Sequence, residues 1–350
     1  MNESLELFST QAPKDTVPYL KDEYFMVMTG LSYIWPFIFL CGFVSNPINI
    51  AVFLKTGAND NVTILLIALA CSDLTFLTLI SPYVGGFMHF ALVRGRPWTF
   101  DPKLLLYTLF WPATTAYDVS CFFAVSLSVT RCACVAMPLK FKLVFTKSRT
   151  IKWALFVVVL AVLLRLPVLL IYRIAWRTDP VTNVSTMYTA IWKRDQMMRI
   201  NDILNRNVVM YLAYITMVAC VLVLSAKLYQ ASKIRQSCTV KGTQPSEQTP
   251  GKPAAQGLSA RDLQVVKSVV LVCSIFIFAQ LPFMVYSTVR LINPEFDENK
   301  QFAYLSYIMN HLSLTCYYTS ASMNIFVYYN FNSRFRSVLL SQLCGKTTQK

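Results

Sequence analysis

NVTILLIALACSDLTFLTLISPYV, residues 61–84, carries one charged side chain, Asp73, in twenty-four positions. A hydrocarbon core about 30 Å thick takes roughly 20 apolar residues to cross as a helix. A soluble helix would break such a run with a polar face at every turn. Six more apolar stretches begin near Leu31, Leu104, Thr150, Asn207, Gln264 and Gln301. Apolar residues make up 55% of the 350-residue chain and charged ones 14%, so lipid is the expected solvent. Backbone groups in lipid must bond within their own segment, which favours helices. The expected fold is an all-α membrane protein, a seven-transmembrane helix bundle. The stretch from Phe331 to Leu343 adds a short amphipathic eighth helix. The division is then a segment 1–30, a membrane domain 31–328 with a disordered loop over about 236–259, and a tail 329–350.

Charge orients the spans. The linker Met137–Lys152 carries Lys140, Lys142, Lys147, Arg149 and Lys152 without an acid. The linker from Lys227 to Lys267 holds Lys227, Lys233, Arg235, Lys241, Lys252, Arg261 and Lys267 against Glu247 and Asp262. The N-terminal segment holds Lys14 and Lys21 against Glu3, Glu6, Asp15, Asp22 and Glu23. Basic residues collect on cytoplasmic loops, so the N-terminus is expected outside the plasma membrane and the C-terminus in the cytosol. The net charge of +15 then answers anionic membrane lipid, not nucleic acid. One loop runs against the pattern: Tyr172 to Arg206 holds six Arg/Lys and three Asp on the outer side. That excess is read as ligand- or matrix-facing charge. Residues 1–30 lack the basic start and apolar core of a cleaved signal peptide, leaving the first span to direct insertion. Asn2 and Asn183 head glycosylation triplets on the expected outer side. The ten cysteines fall in spans or cytosolic segments, so no outer disulfide is expected. Cys344, beyond the amphipathic stretch, is a palmitoylation candidate.

Five motifs lie in order along the spans: Ser45-Asn46-Pro47-Ile48-Asn49, Leu69-Ala70-Cys71-Ser72-Asp73, Thr130-Arg131-Cys132 with Met137-Pro138-Leu139 beyond it, Phe276-x-x-x-Gln280-Leu281-Pro282-Phe283, and Asn324-Ile325-Phe326-Val327-Tyr328. Together they resemble the rhodopsin-like (class A) G-protein-coupled receptors over residues ~31–343. The segment from Arg131 to Lys140 is similar to divergent invertebrate chemosensory-type and neuropeptide-type receptors. The resemblance implies no enzyme but a receptor that carries an extracellular signal to a heterotrimeric G protein. It implies no cofactor beyond an allosteric Na⁺. Arg131, Pro282, Gln280, Asn324 and Tyr328 then form the activation switch. Asp262, twenty residues before Pro282, stands where the family's acidic partner for this arginine falls. The alternative is a solvated charge on the first turn of the sixth helix.

A lone carboxylate at mid-membrane costs at least ~2.5–3.5 kcal/mol unless it faces the bundle and finds partners. By resemblance Asp73, Ser120, Ser320 and Asn324 line a hydrated pocket that holds Na⁺ in inactive receptors. The alternative is a hydrogen-bonded polar cluster with no ion, and in either case Asn46 is expected to pair with Asp73. Asp118 and Arg165 lie at matching depths, about 19 and 18 Å from the Arg131 end by helical rise. An ion pair between the third and fourth helices is one reading; an outward-reaching Arg165 with a protonated Asp118 is the other.

The sequence also departs from the family. Leu106 stands where its outer disulfide begins, Gln280 replaces the sixth-helix tryptophan, Ile325 replaces the seventh-helix proline, and the fifth span has no proline. Trp153 does not clearly take the fourth-helix tryptophan position. Without a disulfide, the outer loop is expected to be held by packing of Ile174, Trp176, Tyr188 and Trp192 or by its charges. Ligand-cavity candidates by depth are Ala113, Thr114 and Tyr117, then Gln280, Phe283 and Ser287, then Leu314, Tyr317 and Tyr318. With Ala113 where amine receptors keep an aspartate, a peptide is the expected ligand and an environmental small molecule the alternative. A seven-helix transporter or channel would need more in-membrane charges along a pathway than Asp73, Asp118 and Arg165.

Overall fold

A computed structural model describes residues 20–57, 60–92, 102–137, 141, 143–178, 185–240, 260–297 and 300–343. Asn2, Asn183 and Cys344 lie outside the described residues. The helices are α1 (Leu20–Thr56), α2 (Asn61–Leu92), α3 (Pro102–Ala136), α4 (Lys147–Leu169), α6 (Ala260–Ile292), α7 (Ala303–Phe331) and α8 (Ser333–Leu343). The fifth span, α5, joins Arg194–Asn201, a π-helical segment Asp202–Val209, and Met210–Val240. Between α4 and α5 lies an antiparallel hairpin of β1 (Tyr172–Thr178) and β2 (Ser185–Ile191).

Among the described residues, six helices are long and apolar enough to cross a membrane, those within Leu20–Thr56, Asn61–Gly86, Thr108–Ala136, Lys147–Leu169, Arg194–Gln230 and Val266–Ile292. The seventh, α7, has 29 residues, enough to cross. Its apolar character is diluted by buried Ser306, His311, Ser313, Ser320, Ser322 and Asn324, which face other helices. At the centre is α3, in contact with α2, α4, α5 and α6, while α1 packs on α2 and α7. Only 22% of the α4 span is buried inside the protein against 50% for α3. Exposed Leu155, Phe156, Val159 and Leu163 therefore make α4 a peripheral, lipid-facing helix.

Helix α1 starts at Leu20, eleven residues before the apolar run predicts. The charges at Lys21, Asp22 and Glu23 hide a helical face in which buried Tyr24 packs on Tyr304 and Tyr307, with ring centroids 5.8 Å apart in each pair. Asp22 and Glu23 in the first turn also suit the helix dipole. Residues 20–30 therefore belong to the bundle, not to a separate N-terminal segment. Helix α5 likewise runs to Val240, so residues 236–240 are helical where disorder is expected; 241–259 lie outside the described residues.

The α1–α7 contact depends on small residues. A Cβ built on Gly42 would strike Leu77, and would come within 2.5 Å of Ser322 Oγ. The hydroxyl of Ser45 donates to the Ser322 carbonyl at 3.1 Å, and Asn46 Nδ2 donates to the Ala321 carbonyl at 2.9 Å.

Of the residues expected to hold the hairpin, the side chains of Ile174 and Tyr188 lie outside the described residues, and Trp176 is 69% exposed. Trp192 carries the attachment: its backbone N–H donates to the Ile171 carbonyl at 2.8 Å, and its ring lies under the Arg173 guanidinium at 4.3 Å.

Candidate functional site

The deepest charged cluster joins α3, α4, α5 and α6. Arg165 Nε donates to Asp118 Oδ2 at 2.5 Å, and both side chains are buried. The two residues that matched in helical depth therefore meet, and Arg165 does not reach outward. Asp118 is shared. Arg206 Nη1 approaches its Oδ1 at 3.3 Å, and Asn205 Nδ2 donates to Oδ2 at 3.2 Å. Asn201 accepts from Arg165 Nη1 at 3.3 Å. Arg290 of α6 grips both oxygens of Asp202, with Nη2 at 2.6 Å from each and Nε 2.9 Å from Oδ2.

Four of these groups were expected in an outer loop ending at Arg206. They sit instead in and beside the π-helical turn, all buried. Residues 201, 202, 205 and 206 recur at one-turn spacing on a single face, a pattern hidden because their polarity ended the apolar run. With six residues per ring rather than five, a π-helical turn shifts the face that a helix presents, and such turns cluster at functional sites.

Below this cluster lies an aromatic layer. Arg206 rests 4.3 Å above the Phe283 ring. Phe283 meets Tyr317 at 5.4 Å, and Tyr317 stacks on Tyr117 at 3.8 Å. Gln280 is buried beside Tyr317. Both its amide atoms and the hydroxyls of Tyr117 and Tyr317 lack hydrogen-bond partners among the described residues. Ala113, Thr114 and Leu314 are buried, with Thr114 bonded back to the Trp111 carbonyl; Ser287 bonds back to the Met284 carbonyl. Tyr318 departs from the set: it packs on Phe39 at 5.1 Å and Trp35 at 6.0 Å, against α1.

Nearer the middle, Asp73 Oδ2 accepts from Asn324 Nδ2 at 2.8 Å, joining α2 to α7. Asn46 does not pair with Asp73. Its amide nitrogen is spent on the Gly42 and Ala321 carbonyls, because α1 presses so closely on α7. Ser120 donates to Ser72 Oγ at 2.8 Å. Asp73 Oδ1, Ser320 Oγ, Asn324 Oδ1 and Asn46 Oδ1 are buried oxygens without a hydrogen-bond partner in the described structure. A set of oxygens including one carboxylate fits a hard monovalent cation.

At the far end, Arg131 lines a cavity of about 190 Å³ with Phe53, Asp60, Val62, Gln264 and Arg334. The Thr130 hydroxyl turns back to the Ser126 carbonyl at 2.6 Å. Gln264 Oε1 accepts from Ser333 Oγ at 2.8 Å, joining the start of α6 to α8. The Asp262 side chain lies outside the described residues. Tyr328 packs between Phe53 and Phe335, at 5.0 and 5.6 Å. Pro282 interrupts α6 between the two ends. Trp153 Nε1 donates to Ser126 Oγ at 2.9 Å and ties α4 to α3.

The model of the seven-transmembrane receptor (rhodopsin family) matches residues 45–328, most of the chain and nearly all of the bundle just described. The protein belongs to that family. No curated protein matches the chain. Membership makes it a multi-pass membrane signalling receptor.

Proposed function

We propose that this rhodopsin-family receptor couples an extracellular ligand, a peptide, to a heterotrimeric G protein at the plasma membrane. The observation that carries the reading is Arg131 at the mouth of a cavity between α1, α2, α6 and α8. The cavity lies on the end where basic linkers collect, which is the cytosolic side by the charge rule. A ligand that binds the open bundle better than the closed one shifts a pre-existing equilibrium. Movement of α6 about Pro282 would part the Gln264–Ser333 bond, widen this cavity and uncover Arg131 for an inserted G-protein helix. Tyr328, free to leave its aromatic seat, would support the open form. The peptide assignment is supported by the basic hairpin region, where Arg173 and Lys193 both lie against the Trp192 ring.

We also infer that Asp73, Ser320 and Asn324 hold Na⁺ in the closed form, with the cation supplying the charge that these buried oxygens lack. The decisive experiment is GTPγS uptake by purified G protein added to membranes containing the protein. Uptake above that of empty membranes, lost in Arg131→Ala at equal surface expression, is the expected result. Equal uptake with and without Arg131 would overturn the coupling.

A further inference from the structure

The charged cluster in the outer half of the bundle does not balance. Among the described residues, Arg165 and Arg206 share the one carboxylate of Asp118, while Arg290 pairs with Asp202 and feels Asp297, which also lies 3.5 Å from Arg194. Arg290 takes both oxygens of Asp202, and Arg165 makes the short contact to Asp118. Arg206 has one long contact, 3.3 Å from Asp118 Oδ1, on a carboxylate whose other oxygen is taken by Arg165 and Asn205. It is 2% exposed. A buried, weakly compensated guanidinium is costly unless a further anion arrives.

Its surroundings say which anion. The guanidinium lies on Phe283, which leads through Tyr317 to Tyr117, so the neighbouring surface is aromatic. Beside that surface, the Tyr317 hydroxyl and the Gln280 amide lie close to each other, and neither makes a hydrogen bond of ordinary length and angle to the described residues. One surplus positive charge with two neutral donors matches a monoanion with two oxygens. A phosphate dianion would leave a negative charge uncompensated. The guanidinium fork is also shaped for a carboxylate.

We propose that Arg206 is the anchor for the carboxylate of the receptor's ligand, with Gln280 and Tyr317 completing its hydrogen bonds and an adjoining aromatic group of the ligand lying on the Phe283–Tyr317 layer. The proposal rests on the receptor reading, since it takes this buried cluster to face the ligand. A peptide C-terminus and a free organic acid present the same group. The π-helical turn is what aims Arg206 inward, so this segment sets ligand class.

The test uses the full-length protein purified in detergent. 3-Phenylpropionate as its sodium salt is compared with the uncharged 3-phenylpropanamide and with sodium chloride, all at millimolar concentration, by thermal unfolding. The carboxylate should raise the melting temperature by roughly 2–4 °C, with the amide and the chloride salt giving no such shift. Arg206→Gln and Tyr317→Phe should each remove or reduce the carboxylate's advantage, and Arg206→Lys should keep part of it. If Arg206→Gln does not fold, the comparison in the unmodified protein and in Tyr317→Phe still decides. Equal shifts for acid and amide, an equal shift with chloride, no shift, or a carboxylate shift surviving Arg206→Gln would each overturn the anchor. A C-terminal acid-versus-amide comparison separates the sources: a short aromatic peptide with a free carboxylate should act like 3-phenylpropionate if the site takes a peptide C-terminus and fail to act if it takes only a small free acid, and its C-terminal amide should act in neither case. GTPγS uptake run on the same preparation keeps the two readings apart. Uptake without carboxylate preference removes the anchor alone, whereas carboxylate preference without uptake removes the coupling and leaves the site.

Discussion

At the scale of single residues, Asp118 and Arg165 are unequal partners although they form one ion pair. Removing a carboxylate shared by two cations leaves both guanidiniums buried without their acid. Removing Arg165 leaves Asp118 with Arg206, a matched pair. Breaking a buried pair by deleting one member costs about 3–5 kcal/mol when the survivor is stranded. Asp118→Ala should therefore lower the melting temperature of the detergent-purified protein by many degrees and reduce surface expression. Arg165→Leu should cost distinctly less, because Arg206, 3.3 Å from Oδ1, stays as the counter-charge and Asn205 still bonds Oδ2. Equal losses in the two variants would show that Arg206 does not share the acid. Asp73 poses the other residue-scale question. It bonds Asn324 through Oδ2 and leaves Oδ1 without a partner among the described residues. If sodium occupies that oxygen, replacing choline by sodium should raise the melting temperature of the unmodified protein, and Asp73→Asn should erase the difference. The same melting temperature in both salts before any substitution would remove the ion.

At the scale of elements, the apolar periodicity marked where spans exist but not where they end. Helix α1 gained eleven residues because Lys21, Asp22 and Glu23 interrupt the run while Tyr24 and Met28 stay buried on the packed face. The start of α5 was illegible for a related reason. Polar residues in a membrane helix look like loop unless their partners, here Asp118 and Arg290 on distant helices, are known in advance. No sequence signal announced the π-helical turn, since α5 has no proline to mark an irregularity. By contrast, helix depth was legible for Asp118 and Arg165, because a fixed rise per residue converts spacing into position. The Asn46–Asp73 pairing was misread because side-chain direction depends on how near two helices come. That approach is set at Gly42. A methyl group there would collide with Leu77 and Ser322, and overpacking of this kind costs typically 1–3 kcal/mol. Gly42→Ala should lower the melting temperature by a few degrees, and adding Leu77→Ala should recover part of the loss. A destabilisation untouched by the second substitution would place its cause elsewhere than in the α1–α2 approach.

At the scale of the whole molecule, the two polar ends are joined through α6, which carries Gln280, Phe283 and Arg290 toward the outer cluster and begins beside the Arg131 cavity. A ligand acting on the first group can be felt at the second only if α6 has two positions of similar energy. What holds the closed one is therefore open to test. The Thr130 hydroxyl is committed to its own helix and contributes no charge to restrain Arg131. Two restraints on this end of α6 are the exposed Gln264–Ser333 hydrogen bond and, by its place in the family pattern, Asp262. An exposed neutral bond of this kind is worth about 1 kcal/mol or less, whereas a partly dry ion pair can hold more. If the closed form is favoured by only a few kcal/mol, losing the stronger restraint changes its population severalfold to tenfold and more. Asp262→Ala should therefore raise ligand-independent GTPγS uptake severalfold at equal surface expression, Gln264→Ala should raise it less, and Arg131→Ala added to either should return it to background. If Gln264→Ala alone matched Asp262→Ala, the closed state would be held by the α6–α8 contact and not by a latch on Arg131. If neither raised uptake, the resting equilibrium would be set deeper in the bundle, at the Asp118–Arg165–Arg206 cluster.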